Sequence, residues 1–471
     1  MSIKSLGKQS LVYGLGHILA RLVTFFLLPL YTNVFTASEY GVVALFYTFL
    51  SFMNVIMRYG LGAAFLKFYV PASDSEKKVI FTNVIASLFL TGIPFFLVWH
   101  GFRNLISPII LGVNEPSFIS IMGIIIVLDT IWSIPLLGFR AENRPILFII
   151  FSLFNVGITI GLNLFLILKM NMGIRAIFLS NLSASLCIFL FSLPFIYQRF
   201  EFALLNKTRW KSIIKFALPF LPAGLFSMVM EVADRYILKY LTDLSTVGIY
   251  NAGYKIGMLM MLAVTAFNFG WQPFFLEQKK RVNQEKLFGK VTTFVLAGLG
   301  FIWLMLILWA DDFIQLKIMG YAFFGEEFQR SIPIVSWIAL GYLFYGFYVL
   351  QTPGIFLKDR PGIAAWTRLF GATSNIVFCF IFIPLYGAIG AAMATCLAFF
   401  LMLVTLYWWN TKLYPIRLEW RKIGFISLIL ISGFFVSKSS ADNLVINILI
   451  TGFYPLGLLG FGIIKMDSLK R

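Results

Sequence analysis

Seven ionisable side chains interrupt otherwise apolar runs of this 471-residue chain: Arg21, Arg58, Asp129, Glu231, Asp234, Arg235 and Lys255. A charge at mid-bilayer costs about 2.5–3.5 kcal/mol on insertion scales, so each one must meet water, a partner or an interface. Arg21 stands about twelve residues, or about 18 Å, into its run, too deep to reach the surface easily. Arg58 lies nearer one end, where a snorkelling arginine is the plainer reading. Lys255 sits between Gly253 and Gly257, a spacing that suits either a close helix contact or an open cavity wall. Glu231 and Arg235 are four apart and can pair along one helix face, with Asp234 beside them. Asp129 stands alone in its run, as an ion-pair partner for Arg21 or Arg58 or as a group that binds or releases a coupling cation. Taken as one set these positions predict a cavity richer in cations than in acids. Its natural ligand is an anion, and the guanidinium fork matches two phosphate oxygens.

The elements that must position these charges are membrane helices. Hydrophobic residues make up 60% of the chain and charged residues only 12%, about half the share a soluble domain needs. Five uncharged runs are long enough to span by themselves: Val79–Trp99, Pro145–Leu168, Ala176–Gln198, Val291–Ala310 and Ser331–Leu357. Leu369–Thr411 is uncharged and too long for one helix, and Pro384–Gly387 supplies a turn in its middle. Runs at 422–437 and 443–464 follow. The charge-interrupted runs, at 10–33, 40–66, 117–139, 212–238 and 246–272, bring the expectation to about fourteen spans. The fold class is therefore all-α and polytopic.

Alternating these spans from a cytoplasmic N-terminus puts 27 of the 38 Lys and Arg on the cytoplasmic side and seven outside, with both termini cytoplasmic. That asymmetry is the positive-inside pattern. It accounts for the net charge of +18 without nucleic acid. The first apolar run, behind Lys4 and Lys8, is too long for a signal peptide and reads as a membrane helix.

Two halves resemble each other. Arg144-Pro145 and Arg360-Pro361 each precede an apolar span, and Gly-containing turns follow at Met172–Ala176 and Ile389–Met393. Glu39-Tyr40-Gly41 and Val247-Gly248-Ile249-Tyr250 open spans six apart, so the repeats run parallel. The expected organisation is a lobe of spans 1–6 at 1–205, a second of spans 7–12 at 206–412, and a terminal helix pair at 413–471. Pro219 and Pro222 fall within span seven, as a hinge or a static kink.

No phosphate-binding loop, no zinc-protease motif and no nucleotide-hydrolysing domain is written in the chain. Cys187, Cys379 and Cys396 lack metal or redox spacing, and His17 and His100 make no metal site. An enzyme is not indicated, and no cofactor or metal is expected. Transport energy must come from an ion gradient, the membrane potential or consumption of product.

Four stretches carry a family resemblance: Gly14-Leu-Gly16 with Pro29-Leu-Tyr-Thr32 and Glu39–Val42; Leu218-Pro219 with Asp234–Leu238; Val247–Tyr250; and Asn375 followed by Ile383–Thr395. In that order the chain resembles the bacterial Wzx-type polysaccharide-unit flippases, in the superfamily that also holds lipid II flippases and multidrug exporters. Cys379 stands where that pattern usually has a second Asn. The resemblance implies a bacterial inner-membrane flippase moving undecaprenyl-pyrophosphate-linked oligosaccharides by alternating access. It implies pyrophosphate contacts at Arg21 and Arg58, to which the charge pattern adds Lys255. Membrane lipids, H+ or Na+ as a coupling ion and a polysaccharide polymerase complex are the other expected partners. Lipid II flipping is the alternative. A multidrug cation exporter would prefer an acidic cavity, and a non-transporting scaffold for polysaccharide assembly is the reading from another class.

Overall fold

The computed structural model describes residues 25, 27–142, 144–278, 283–318, 321–439 and 443–463. Arg21 lies outside them, with residues 10–24 and 26 of its expected span. Among the described residues the chain is helical apart from two paired two-residue strands, Lys317–Ile318 and Tyr321–Ala322. Ten helical stretches among the described residues are long and apolar enough to cross a membrane, and the chain is a multi-pass membrane protein. One of the ten, Pro361–Leu413, is two helices meeting at Gly387, whose φ of 56° and ψ of −129° are not helical. The expected turn at Pro384–Gly387 is there, made with the glycine that tolerates positive φ.

By internal contacts the chain divides into two units, 1–31 with 35–239 and 243–248, and 32–34 with 240–242 and 249–471. Unit 1 holds α1 (Leu28–Val34, its last residues excepted), α2 (Ala37–Arg58), α3 (Leu61–Tyr69), α4 (Asp74–Gly101), α5 (Arg103–Leu111), α6 (Pro116–Ala141), α7 (Pro145–Leu164), α8 (Arg175–Arg199), α9 (Lys207–Ala217) and α10 (Phe220–Leu241). The first turns of α11 (Leu244–Gly257) also belong to it.

Local chemistry explains these boundaries. Thr36 and Glu39 form a capping box that starts α2, and Ser73 and Glu76 form another that starts α4. The run expected at 40–66 is broken. Tyr59 and Gly60 take positive φ, and a Cβ at Gly60 would stand 2.1 Å from the Ala217 carbonyl oxygen. Arg58 is thereby the last residue of α2, next to carbonyls that favour a cation. The two Gly motifs noted in the sequence meet: a Cβ on Gly41 would strike the Leu244 carbonyl, and one on Gly248 the Ala37 carbonyl. Pro219 lies in the turn between α9 and α10 and Pro222 in the first turn of α10, where a missing N–H costs little. The expected single span 212–238 is thus interrupted at its prolines. The core of unit 1 joins α3, α4, α6 and α8 through Phe65, Phe81, Ile131, Ile134 and Phe195.

Unit 2 continues with α12 (Leu259–Glu277), α13 (Gln284–Leu308), α14 (Ala310–Gln315), α15 (Ile332–Gln351), α16 (Pro353–Leu357), α17 (Pro361–Leu413), α18 (Trp420–Ser439) and α19 (Leu444–Gly460). Gly253 and Gly257 press α11 against Ser331 and Ile338, at the start of α15. Of the two readings of that glycine pair, the close helix contact is the one observed. The terminal helix is pinned to α13: Tyr454 Oη donates to the Ala297 carbonyl at 2.8 Å, and Asn447 Nδ2 to that of Leu308 at 3.0 Å.

Candidate functional site

Unit 1 contains a polar cavity of about 480 Å³ within the size range of small-molecule sites. Four helices wall it. Helix α2 contributes Tyr47, Ser51, Asn54 and Arg58; α6 contributes Asp129, Trp132, Ser133 and Arg140; α7 contributes Ser152 and Asn155; α8 contributes Asn181 and Ser185. Helical spacing aligns each set. Asn54 is one turn before Arg58, and Trp132 one turn after Asp129.

The carboxylate of Asp129 is held by its own unit. Trp132 Nε1 donates to Oδ1 at 2.9 Å and Ser185 Oγ donates to the same oxygen at 2.6 Å. The Arg58 guanidinium instead reaches the Asp129 backbone carbonyl, at a long 3.5 Å. Among the described residues no carboxylate oxygen lies within ion-pair distance of Arg58, and its Nε makes no hydrogen bond. Two arginines face one carboxylate in the cavity wall, a net positive charge. In such a site an anion gains both Coulomb energy and charge-assisted hydrogen bonds.

The remaining positions singled out in the sequence lie elsewhere. Arg235 pairs with Asp234 at 2.9 Å, both side chains buried, and also donates to the Glu231 backbone carbonyl. An ion pair is thus present at this helix end, between Asp234 and Arg235. Lys255 is half-buried on α11 in unit 2. The family-motif residues Asn375 and Cys379 are buried in α17, where Asn375 Nδ2 donates to Thr395 Oγ1 at 3.2 Å. No group of three or more metal-ligating side chains exists among the described residues.

Sequence reasoning missed Asn54, Trp132, Arg140, Asn155, Asn181 and Ser185. The one signal available was spacing: Asn54 and Trp132 each stand one turn from a charge that the sequence singles out.

A second polar cluster closes the cytoplasmic end expected for unit 1. Tyr69 Oη donates to Glu142 Oε1 at 2.7 Å, and Arg199 Nη2 donates to the same oxygen at 2.8 Å. The Arg199 guanidinium lies 3.7 Å over the Phe195 ring. Burial and the neighbouring Glu142 push the Tyr69 hydroxyl up to about 12.

Comparison with known proteins follows this architecture. A Lsg locus protein of Haemophilus influenzae is 24% identical over 357 residues, covering 72% of this chain and 84% of its own length. An uncharacterised membrane protein of Methanocaldococcus jannaschii is 25% identical over 160 residues, 31% of either chain. Among solved structures, the lipid II flippase MurJ in an inward closed conformation aligns with a TM-score of 0.78 at 18% identity, covering 98% of this chain and 100% of that one. An inward-facing multidrug-resistance MATE transporter aligns with a TM-score of 0.64 at 13% identity, over 87% of this chain and 94% of that one. At such identities these structures establish the fold. The family model for polysaccharide biosynthesis proteins matches residues 6–279, more than half of the chain, and the chain belongs to that family.

Proposed function

We propose that this protein is a flippase that carries a lipid-linked, pyrophosphate-bearing oligosaccharide from the cytoplasmic to the outer leaflet of a bacterial inner membrane. The observation that carries the reading is the unit 1 cavity: a net positive, hydroxyl- and amide-lined chamber on membrane helices, with the Arg58 Nε donor unpaired among the described residues. Keeping Arg58 at that depth costs stability, and an anionic head group would repay it. Arg58 would bind the pyrophosphate; Arg21 and Lys255 are further cations assigned to it in this reading. The two six-helix lobes, 1–205 and 206–412, would expose the head group alternately to either side, with Pro219 and Pro222 at a hinge and Asp129, Glu231, Asp234 or Arg235 coupled to H+ or Na+. The terminal pair 413–471 would line a groove for the polyprenyl tail. Delivery to a polysaccharide polymerase complex fits the family.

Membership of the polysaccharide biosynthesis family supports sugar units as cargo. The fold shared with a lipid II flippase favours peptidoglycan precursor as the second reading. Deleting the gene and extracting lipids separates them. Build-up of a polyprenyl-pyrophosphate oligosaccharide is expected; build-up of lipid II would favour the second reading, and unchanged lipid pools would overturn both.

A further inference from the structure

One feature of the unit 1 cavity is not used by a phosphate. Asn54 and Arg58 are one turn apart on α2 and both line the cavity. Asn54 Nδ2 donates to the Leu50 carbonyl at 2.9 Å, which orients the amide and leaves Oδ1 without a hydrogen-bond partner among the described residues. Arg58 Nε likewise has none. A buried polar atom left unpaired costs about 1–3 kcal/mol, so a ligand that satisfies both atoms is favoured over one that satisfies a single atom.

The two orphans are opposite in kind. Arg58 offers a proton and needs a lone pair; Asn54 Oδ1 offers a lone pair and needs a proton. An ionised phosphate oxygen answers Arg58 and brings nothing for Asn54. A sugar joined to that phosphate does, through a ring hydroxyl or an acetamido N–H. Neighbouring side chains four apart on a helix stand about 5–6 Å apart at Cβ, a separation that one phosphate and the ring attached to it can bridge. Asn155 and Trp132 line the same cavity and offer an amide and an aromatic ring.

We propose that Asn54 is a specificity residue: its amide oxygen accepts a hydrogen bond from the first sugar while Arg58 holds the adjoining phosphate, so that the cavity selects sugar phosphates over ionised phosphate esters that carry no sugar. The proposal rests on the assignment of Arg58 to the head group, and its test separates the two. Full-length protein in lipid nanodiscs at about pH 8 is titrated calorimetrically with methyl phosphate, glucose 1-phosphate and N-acetylglucosamine 1-phosphate, all dianions there and without a P–OH. Wild type is expected to bind at least one sugar phosphate about 3–10-fold more tightly than methyl phosphate, the worth of one hydrogen bond. In Asn54→Leu that ratio falls to about one on the same scale. Arg58→Gln weakens all three probes. Equal binding of the three by wild type, which needs no variant to fold, overturns the proposal, as does a preference that survives in Asn54→Leu. Wild-type binding of every probe by Arg58→Gln overturns the assignment of Arg58, and no binding at all by wild type overturns both.

Discussion

Unit 1 and unit 2 each hold a cleft between helices, and the walls are chemically opposite. The unit 1 cavity presents two arginines, one carboxylate, three asparagines and several hydroxyls. The unit 2 groove, about 280 Å³, lies between α13, α15, α17 and α18 and is lined by Leu343, Phe344, Phe400, Val404, Tyr407 and Trp420 among others, with Ser427 as its one aliphatic hydroxyl. A membrane protein gains nothing from burying charge without a use for it, and it has no need of a shaped apolar cleft merely to be soluble in lipid. The two walls suit different chemistry: the unit 1 cavity a charged or polar group, the unit 2 groove a hydrocarbon chain.

The sharpest break of this contrast is at Arg58. Arg58→Ala should weaken inorganic pyrophosphate binding to the purified protein by about 10–100-fold, the worth of a charge-assisted hydrogen bond of 1.5–3 kcal/mol, measured by calorimetry. Next is the groove. Val404→Arg, at a partly exposed wall position, should cut transport of a full-length polyprenyl substrate by about tenfold by placing a charge against the tail. A short-chain analogue should be affected far less, and equal loss for both chain lengths would remove the tail from the groove. Asp129→Asn keeps an acceptor for Trp132 and Ser185 and deletes one negative charge, so pyrophosphate affinity should rise by about 2–5-fold, within the modest range of one exposed or solvent-screened charge. A fall would mean that Asp129 orders the site rather than opposing the anion.

The smallest effect lies outside both clefts. Tyr69→Phe loses a hydrogen bond to Glu142 and should lower stability by about 0.5–1.5 kcal/mol without altering pyrophosphate binding. The Tyr69 hydroxyl is raised in the folded protein to about 12. Its contribution is therefore complete below the unfolded value near pH 10 and is lost as pH rises through about 12, which denaturation at high pH would detect as a difference between wild type and Tyr69→Phe.

Much of the architecture was legible because bilayer depth writes itself into length and hydropathy. The uncharged runs from Val79, Pro145 and Ala176 became α4, α7 and α8, and Pro384–Gly387 was recognisable as a turn because proline and glycine interrupt an apolar stretch too long for one helix. The break at Tyr59-Gly60 was not legible, since it depends on the distant Ala217 carbonyl that excludes a Cβ at Gly60. The site was half legible. Arg58 and Asp129 stood out as costly charges, but their convergence on one cavity is a matter of how α2 and α6 are rotated, which hydropathy does not encode. Asn54, Asn155 and Asn181 were hidden for a different reason: an isolated amide in a membrane helix can satisfy itself on the carbonyl four residues back, as Asn54 and Asn181 both do.

The central claim is that Arg58 holds the phosphate of the cargo, and vesicle translocation tests it most directly. Purified wild type, Arg58→Lys and Arg58→Ala would be reconstituted into liposomes with a fluorescent polyprenyl-pyrophosphate-linked sugar, and its arrival in the opposite leaflet followed by quencher accessibility. The account predicts fast translocation by wild type, a reduced rate with lysine, which keeps the charge but loses the planar fork, and background with alanine. Three equal rates would contradict it.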